Sequence, residues 1–265
     1  NVVTASIHNN IGIENLSLLF SALRLVRCEA SLFLALSASS PFLDGNPTGA
    51  HSQRWVQFPK TPSKVPIFVD HAHYVTWIEE QLGQGNMQNE RHLWTSVRPN
   101  GPERPHVLNR LELRICDLVA DVDLLLAMTA LLELRIINLK NNMKKFDPIE
   151  ASSKTQEELV QLSDENDLLA AKSSLDSNLS HWRNGKQINC REWINELISD
   201  VTPLAKELNM LELLKPIESV LINGNQSMIW LNSYSKGISI QSMLQQGIRE
   251  MEREETNFIQ INSTY

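Results

Sequence analysis

An α+β fold, mixed over residues 1–120 and helical thereafter, is predicted by three features of the sequence. Residues 110–117, RLELRICD, alternate apolar and charged positions, the period of a strand with two unlike faces. Residues 14–37 place Leu16, Leu19, Leu23, Val26, Ala30, Phe33 and Leu34 at helical spacing. From Asp121 onward a leucine-rich helical run is followed by further helical patterns, with Pro, Asn and Gly marking the turns between them.

Taken in order, VVTASIH at 2–8 is β-branched and alternating and predicts a strand that ends near Asn9, Asn10 and Gly12. A helix follows over 14–37. Residues 39–54, SPFLDGNPTGAHSQR after Ser39, form a long irregular stretch rich in Gly, Pro and Ser, a candidate binding loop. A short strand and then a helix are expected within 66–82, with Asp70 as N-cap. Residues 92–98 read as strand, 99–109 as loop and 110–116 as the alternating strand. Beyond these, 122–142 is helical, 144–154 with Pro148 breaks it, and 156–179, 191–208, 210–223 and 238–253 are helical again. Residues 256–265 read as a loosely held tail.

Composition narrows the function classes. The 265 residues carry 24 Lys and Arg against 31 Asp and Glu, a net charge of -7, which gives no broad electrostatic basis for binding nucleic acid or anionic lipid. Residues 16–38 are apolar but contain Arg24, Arg27 and Glu29, which suits a core helix that pairs its charges and not a membrane span. Cys28, Cys116 and Cys190 are widely spaced, form no C-x-x-C pair and point to a reducing, cytoplasmic setting without a catalytic thiol. The chain begins with Asn, directly on a strand pattern, so an upstream segment is expected to be missing.

Several polar residues are candidates for chemistry. In RLELRICD, Leu111, Leu113 and Ile115 share one face while Glu112 and Arg114 share the other. That pair is either a solvated surface ion pair or the lining of a site. In the second case a carboxylate can hold Mg2+ and a guanidinium can fork phosphate oxygens. In SIHNNIG, His8 and Asn10 fall on one strand face, and His8 is either a satisfied structural residue or a metal ligand. Arg54 ends the Gly/Pro loop and Arg98 precedes PNGP; each is a surface charge or a carboxylate clamp. Arg104, in the following loop, has fewer supporting features. Asp121 is a helix cap by position. No P-loop, dinucleotide fingerprint, nucleophile elbow or zinc spacing is present, so a bound nucleotide would be held by side chains and metal.

Together, ALSASSPFLDGNPTGAHSQR, WTSVRPNG and LELRICD followed by a leucine-rich helix resemble the GCS2 family of glutamate–cysteine ligases and related carboxylate–amine ligases, in particular the cyanobacterial type. The resemblance runs from about Ile7 to Glu250, more loosely in NDLLAAKSSLDS and NGKQINCREW. It implies a glutamine synthetase-like fold: a curved, mostly antiparallel sheet whose polar face cups ATP, divalent metal and an amino acid. Residues 1–120 would be part of that catalytic sheet and 121–255 the helical remainder of the same domain.

The implied activity is ATP- and Mg2+-dependent joining of the glutamate γ-carboxylate to the amino group of cysteine through an acyl phosphate, the first step toward glutathione. By the resemblance, Glu112 and His8 fall at the metal, with His8, Asn10 and Arg114 at the nucleotide. Arg54 of TGAHSQR and Arg98 of WTSVRP fall on substrate carboxylate or phosphoryl oxygens. The family's upstream strand glutamates are absent, so the chain is expected to be N-terminally incomplete. Two other readings are a ligase for a different amine, and an inactive fragment or interaction protein that keeps the fold.

Overall fold

The computed structural model describes residues 5–262. The first paired strand is β1, Asn9–Gly12, one step later than the sequence pattern suggests. Of the predicted strand 2–8, residues 2–4 lie outside the described residues, and Ser6 makes only an isolated bridge to Asp117. Pairing with a neighbour, not local propensity, decides where the ladder forms, so the Asn-rich segment became strand.

Helix α1, Leu16–Ser37, starts where the Asn15 side chain accepts the Leu18 N–H. It is buried on nearly every side, which is why it could be apolar all round. Its charges are each paired. Arg24 holds Asp147 and the carbonyls of Phe68 and Val69, Arg27 holds Asp164 at 3.0 Å, and Glu29 holds Arg135. The expectation that Arg24 and Arg27 pair with acids is met.

The stretch 39–54 is more ordered than an irregular loop. Strands β2, Phe42–Leu43, and β3, Asn46–Pro47, form a hairpin turned by Asp44 and Gly45, with φ of 49° and 78°. Two positive φ values are what a two-residue Asp-Gly hairpin requires. Helix α2, Gln53–Val56, follows and carries Arg54. Helix α3, His71–Gly83, is capped by Asp70 as expected. No strand precedes it, because the Phe68 and Val69 carbonyls are taken by Arg24 and the Val69 N–H by His73.

A 3-10 turn at Glu90–His92 leads to β4, Val97–Asn100, and then to β5, Arg110–Leu113. The predicted strand 92–98 therefore contributes only its end, and the ladder continues to Asn100. The antiparallel sheet has the order β1-β5-β4. On one face Leu111, Leu113 and Val97 pack under α1, each buried. On the other, Asn10, Glu112 and Arg98 lie side by side in one row of the register.

The second half is helical. Helix α4, Val122–Asn141, is capped by Asp121, and its break consists of α5, Met143–Phe146, and α6, Pro148–Ala151. Helix α7, Gln156–Ser173, opens with a capping box of Thr155 and Glu158 and packs along α1. It ends six residues earlier than the pattern 156–179. Ser174 adopts φ of 42°, and β6, Asn178–Ser180, pairs with β7, Gln187–Asn189. That hairpin is anchored by Asn166, whose side-chain amide donates to Ser180 O and accepts from Ser180 N. Then come α8, Cys190–Glu207, a 3-10 turn at Leu211–Leu214, α9, Lys215–Asn223, α10, Gln226–Ser235, and α11, Ile240–Asn262. The expected helix 210–223 is thus a 3-10 turn joined to α9, and α10 lies in a segment read as a turn.

The class predicted from the sequence is what forms: a mixed α+β fold with an open antiparallel sheet and a helix-rich second half. Among the described residues no helix is long and apolar enough to cross a membrane.

A buried guanidinium cluster as candidate functional site

The polar face of the sheet is buried at β4 and β5 and exposed at Asn10 of β1. Glu112 is 5% exposed, Arg98 8% and Arg114 9%, so E-x-R is not a solvated surface ion pair. Alternation in β5 aims Glu112 away from the core, Arg114 just past the strand's end lies beside it, and antiparallel pairing brings Arg98 across from Glu112.

Glu112 is the hub. Arg98 Nε donates to Oε2 at 2.7 Å, Asn100 Nδ2 donates to the same oxygen at 3.0 Å, and His8 Nδ1 lies 3.1 Å from Oε1. Arg114 Nε stands 3.7 Å from Oε1. Burial by itself raises the Glu112 pKa. Hydrogen bonds from His8 and Arg98 and the charges of Arg98 and Arg114 outweigh it and hold the carboxyl at about 2. His8, just before β1, is thereby brought to Glu112, and Asn10 sits opposite Glu112 on β1 with its amide toward the His8 carbonyl.

The guanidinium groups are gathered more densely than the acids. Arg98 Nη1 donates to the Arg91 and Leu93 carbonyls, and Arg114 Nη1 donates to the Leu93 carbonyl. The loop before β4 therefore spends its carbonyls on side chains and not on a ladder. Burial, with the charge of Arg98, pushes the Arg114 pKa down to about 10 against the pull of Glu112. Arg104 is lowered by burial first and then by Arg98. Two buried guanidinium nitrogens, Arg114 Nε and Arg104 Nη1, lack a hydrogen-bond partner. Buried donors are nearly always satisfied, and donors of this kind beside positive charge are the groups that an anion's oxygens pair with.

Arg54 lies behind this site. Its Nη1 donates to Ile115 O at 3.0 Å and its Nη2 to Arg114 O at 2.8 Å, and Nη1 is 3.6 Å from Asp117 Oδ1. Both terminal nitrogens hold backbone, so the fork expected to clamp substrate is occupied by the strand that carries Arg114. Asp117, which sequence reasoning left as a strand end, anchors the same corner by accepting from Ser39 N, Ser40 Oγ and Ser52 Oγ. Arg54→Lys is expected to lower stability by about 1–3 kcal/mol, since one ammonium cannot reach both carbonyls. The readout is the urea midpoint at unchanged m; an unaltered midpoint refutes this role.

The structure thus gathers Glu112, Arg98, Arg114, His8 and Asn10 and sets Arg54 apart. It adds Asn100, for which the sequence offered no signal, since β4 and β5 pair only in the fold. The residues suit phosphate or carboxylate oxygens. They do not by themselves suit Mg2+, which seeks several oxygen ligands. The oxygens of Glu112 face His8, Arg98 and Asn100, and among the described residues no group of three or more His, Cys, Asp or Glu could hold a metal. The three cysteines are buried, with burial pushing each thiol to about 12, so none serves as a nucleophile near neutral pH.

Comparison with known proteins agrees with this architecture. The chain is 25% identical over 242 residues to a Sorangium cellulosum protein named "Putative glutamate–cysteine ligase 2", covering 90% of this chain and 61% of that protein. A Gloeobacter violaceus protein of the same name is 25% identical over 236 residues, covering 88% and 60%. The chain therefore spans about 60% of the length of these relatives. Its fold is similar to the crystal structure of the Francisella tularensis glutamate–cysteine ligase in complex with AMP, with a TM-score of 0.66 at 12% identity, covering 90% of this chain and 58% of that one. The family model for glutamate–cysteine ligase family 2 matches residues 1–259, and the chain, whose sheet and helices follow that fold, belongs to this family.

Proposed function

We propose that the chain serves an ATP-dependent carboxylate–amine ligase of the cyanobacterial type, joining the glutamate γ-carboxylate to the amino group of cysteine through an acyl phosphate, the first step toward glutathione. The observation that carries this is the buried pair of guanidinium groups, Arg98 and Arg114, beside a single carboxylate, Glu112, with half-buried Arg104 close enough to act on them electrostatically. Activation of a carboxylate by ATP brings phosphoryl and carboxylate oxygens together, and such chemistry depends on positioned cations. Membership of the ligase family and the likeness to a ligase structure with AMP support the same reading.

In this reading Arg114 and Arg98 face phosphoryl or carboxylate oxygens, with His8 and Asn10 at the rim of the nucleotide site. Glu112 keeps the guanidinium planes fixed, because it accepts from Arg98 and stands beside Arg114. Arg54 acts through the backbone of Arg114 and Ile115. No step is assigned to Mg2+, because the described residues do not complete a site for it.

The test is glutamate-dependent release of ADP from ATP, measured with cysteine and with a panel of other amino acids. Cysteine is expected to give the largest stimulation. A larger effect from another amine reassigns the nucleophile while keeping the ligase class, and absence of ADP release with every amine removes the ligase reading.

A further inference from the structure

Strand β1 is an outer strand of the sheet, with β5 on one side and, among the described residues, no strand on the other. The Ile13 N–H donates to Asn109 O, and antiparallel pairs alternate, so Ile11 and Asn9 also turn their backbone toward β5. Asn10 and Gly12 therefore turn N–H and C=O outward, and among the described residues no hydrogen bond reaches these groups. Beside this edge lies a groove of about 590 Å³, lined on its apolar side by Ile11, Leu18, Ile136, Ile137 and Met143. Ile11 stands opposite Leu111, so the groove opens on the apolar side of the sheet, away from Glu112. Helix α4 forms one wall and carries apolar groups on into solvent: Leu126 is 51% exposed and Val122 61%. At helical spacing these continue the stripe of Glu133, Ile137 and Lys140.

We propose that this edge and groove bind a second copy of the chain, the two sheets joining antiparallel through β1 about a two-fold axis. The backbone pattern is its own complement. With Asn10 of one chain opposite Gly12 of the other, and the reverse, every outward N–H meets a C=O. Gly12 carries no Cβ and has open space where one would stand, so a second backbone can close on it. The groove is self-complementary in charge as well. Glu14, Glu133 and Lys140 line it, and among the described residues none of the three makes an ion pair. A two-fold axis can then set the ammonium of one copy against carboxylates of the other. The axis that joins two antiparallel edges is perpendicular to the sheet, so both grooves and both α4 stripes fall on the same side of the joined sheet. There Val122, Leu126 and Ile137 lose contact with water, and burial of apolar surface drives the association. A lone extended peptide would pair with the β1 edge but leave the α4 stripe and the groove charges uncovered, whereas a second copy covers all three. An open strand edge is also what pairing of this kind removes.

The experiment is sedimentation equilibrium of the wild-type chain, Gly12→Pro, Leu126→Glu and, as a control, Leu168→Glu, whose site on α7 is as exposed as that of Leu126. The Gly12 N–H does not serve the β5 ladder, so proline there removes an intermolecular donor and no internal one. Circular dichroism melts confirm that each variant is folded; should Gly12→Pro unfold, Leu126→Glu, at an exposed position, still decides. The wild type is expected to be a dimer that dissociates on dilution. Each substitution occurs twice about the axis, so Gly12→Pro and Leu126→Glu are each expected to weaken the dimer about tenfold or more. Leu168→Glu is expected to leave it unchanged. Hydrogen exchange at the Asn10 and Gly12 amides is expected to slow as the wild-type concentration rises. A monomer at every concentration, a dimer that keeps wild-type affinity in the folded interface variants, equal weakening by Leu168→Glu, or exchange at residues 10 and 12 that ignores concentration overturns the interface.

Discussion

Glu112→Gln is expected to destabilise the protein by about 3–5 kcal/mol, the cost of leaving buried cations without their counter-charge. The substitution keeps size and shape but removes the negative charge that faces His8, Arg98 and Arg114. The amide also turns a donor toward guanidinium groups that are themselves donors only. The pH dependence follows from the carboxyl being held at about 2 in the fold against 4.5 ordinarily. Above about pH 4.5 both states are ionised and the stabilisation is complete. As pH falls toward 2 the unfolded chain takes up the proton first, and the contribution is lost. Wild-type unfolding free energy should therefore decline over this window for this group, and the decline should be smaller in Glu112→Gln. Equal stability and equal pH slopes in the two proteins would remove Glu112 from the centre of the cluster. Loss of ADP release in the variant is expected as well, because Arg98 and Arg114 would no longer be held in place.

Asp167→Asn is expected to act in the opposite direction and stabilise the protein. Asp167 lies on α7 where it packs along α1, 1% exposed, and neither carboxylate oxygen has a hydrogen-bond partner. Arg27 Nε, Ser31 Oγ and Ser163 Oγ lack partners in the same helix pair. Burial raises its pKa from 3.8 to about 7, with Lys60, Arg27 and the nearby Ser96 hydroxyl, which lies outside good hydrogen-bond geometry, only partly offsetting the desolvation. The folded state thus keeps a proton that the unfolded chain gives up, so stability falls as pH rises from about 4 to 7 and stays low above that. An uncharged side chain escapes the penalty, worth about 4 kcal/mol at most above pH 7 and nothing below pH 4. The readout is the difference in urea unfolding free energy between the two proteins at pH 4 and pH 8. A difference that does not grow with pH, or a destabilised variant at pH 8, refutes the buried-carboxylate account.

Much of the candidate site was legible because it depends on short-range regularities. The alternation of RLELRICD requires Glu112 and Arg114 to share a face whatever the sheet packs against. Asp70 and Asp121 cap helices through groups three residues or fewer away. The failures share a different cause. Strand 66–69 was lost and the start of β4 delayed because arginine side chains took the carbonyls a ladder would have used. Arg54 was read as a substrate clamp from its loop. Its donors instead went to the end of β5, 60 residues on in sequence, a partner that no local pattern announces.

By itself the sequence determined the α+β class, the family and the division of β5 into an apolar and a polar face. Periodicity and capping act within a few residues, so they are written in the order of the chain. Only the tertiary structure decided that Glu112 and Arg114 are buried, that Arg98 and Asn100 meet Glu112, and that Arg24 and Arg27 find Asp147 and Asp164. It also decided that Asp167 is buried without a partner. Each of these depends on segments far apart in the chain being brought within hydrogen-bonding or Coulomb range. At such distances burial strengthens every charge and penalises every donor or carboxylate left unpaired.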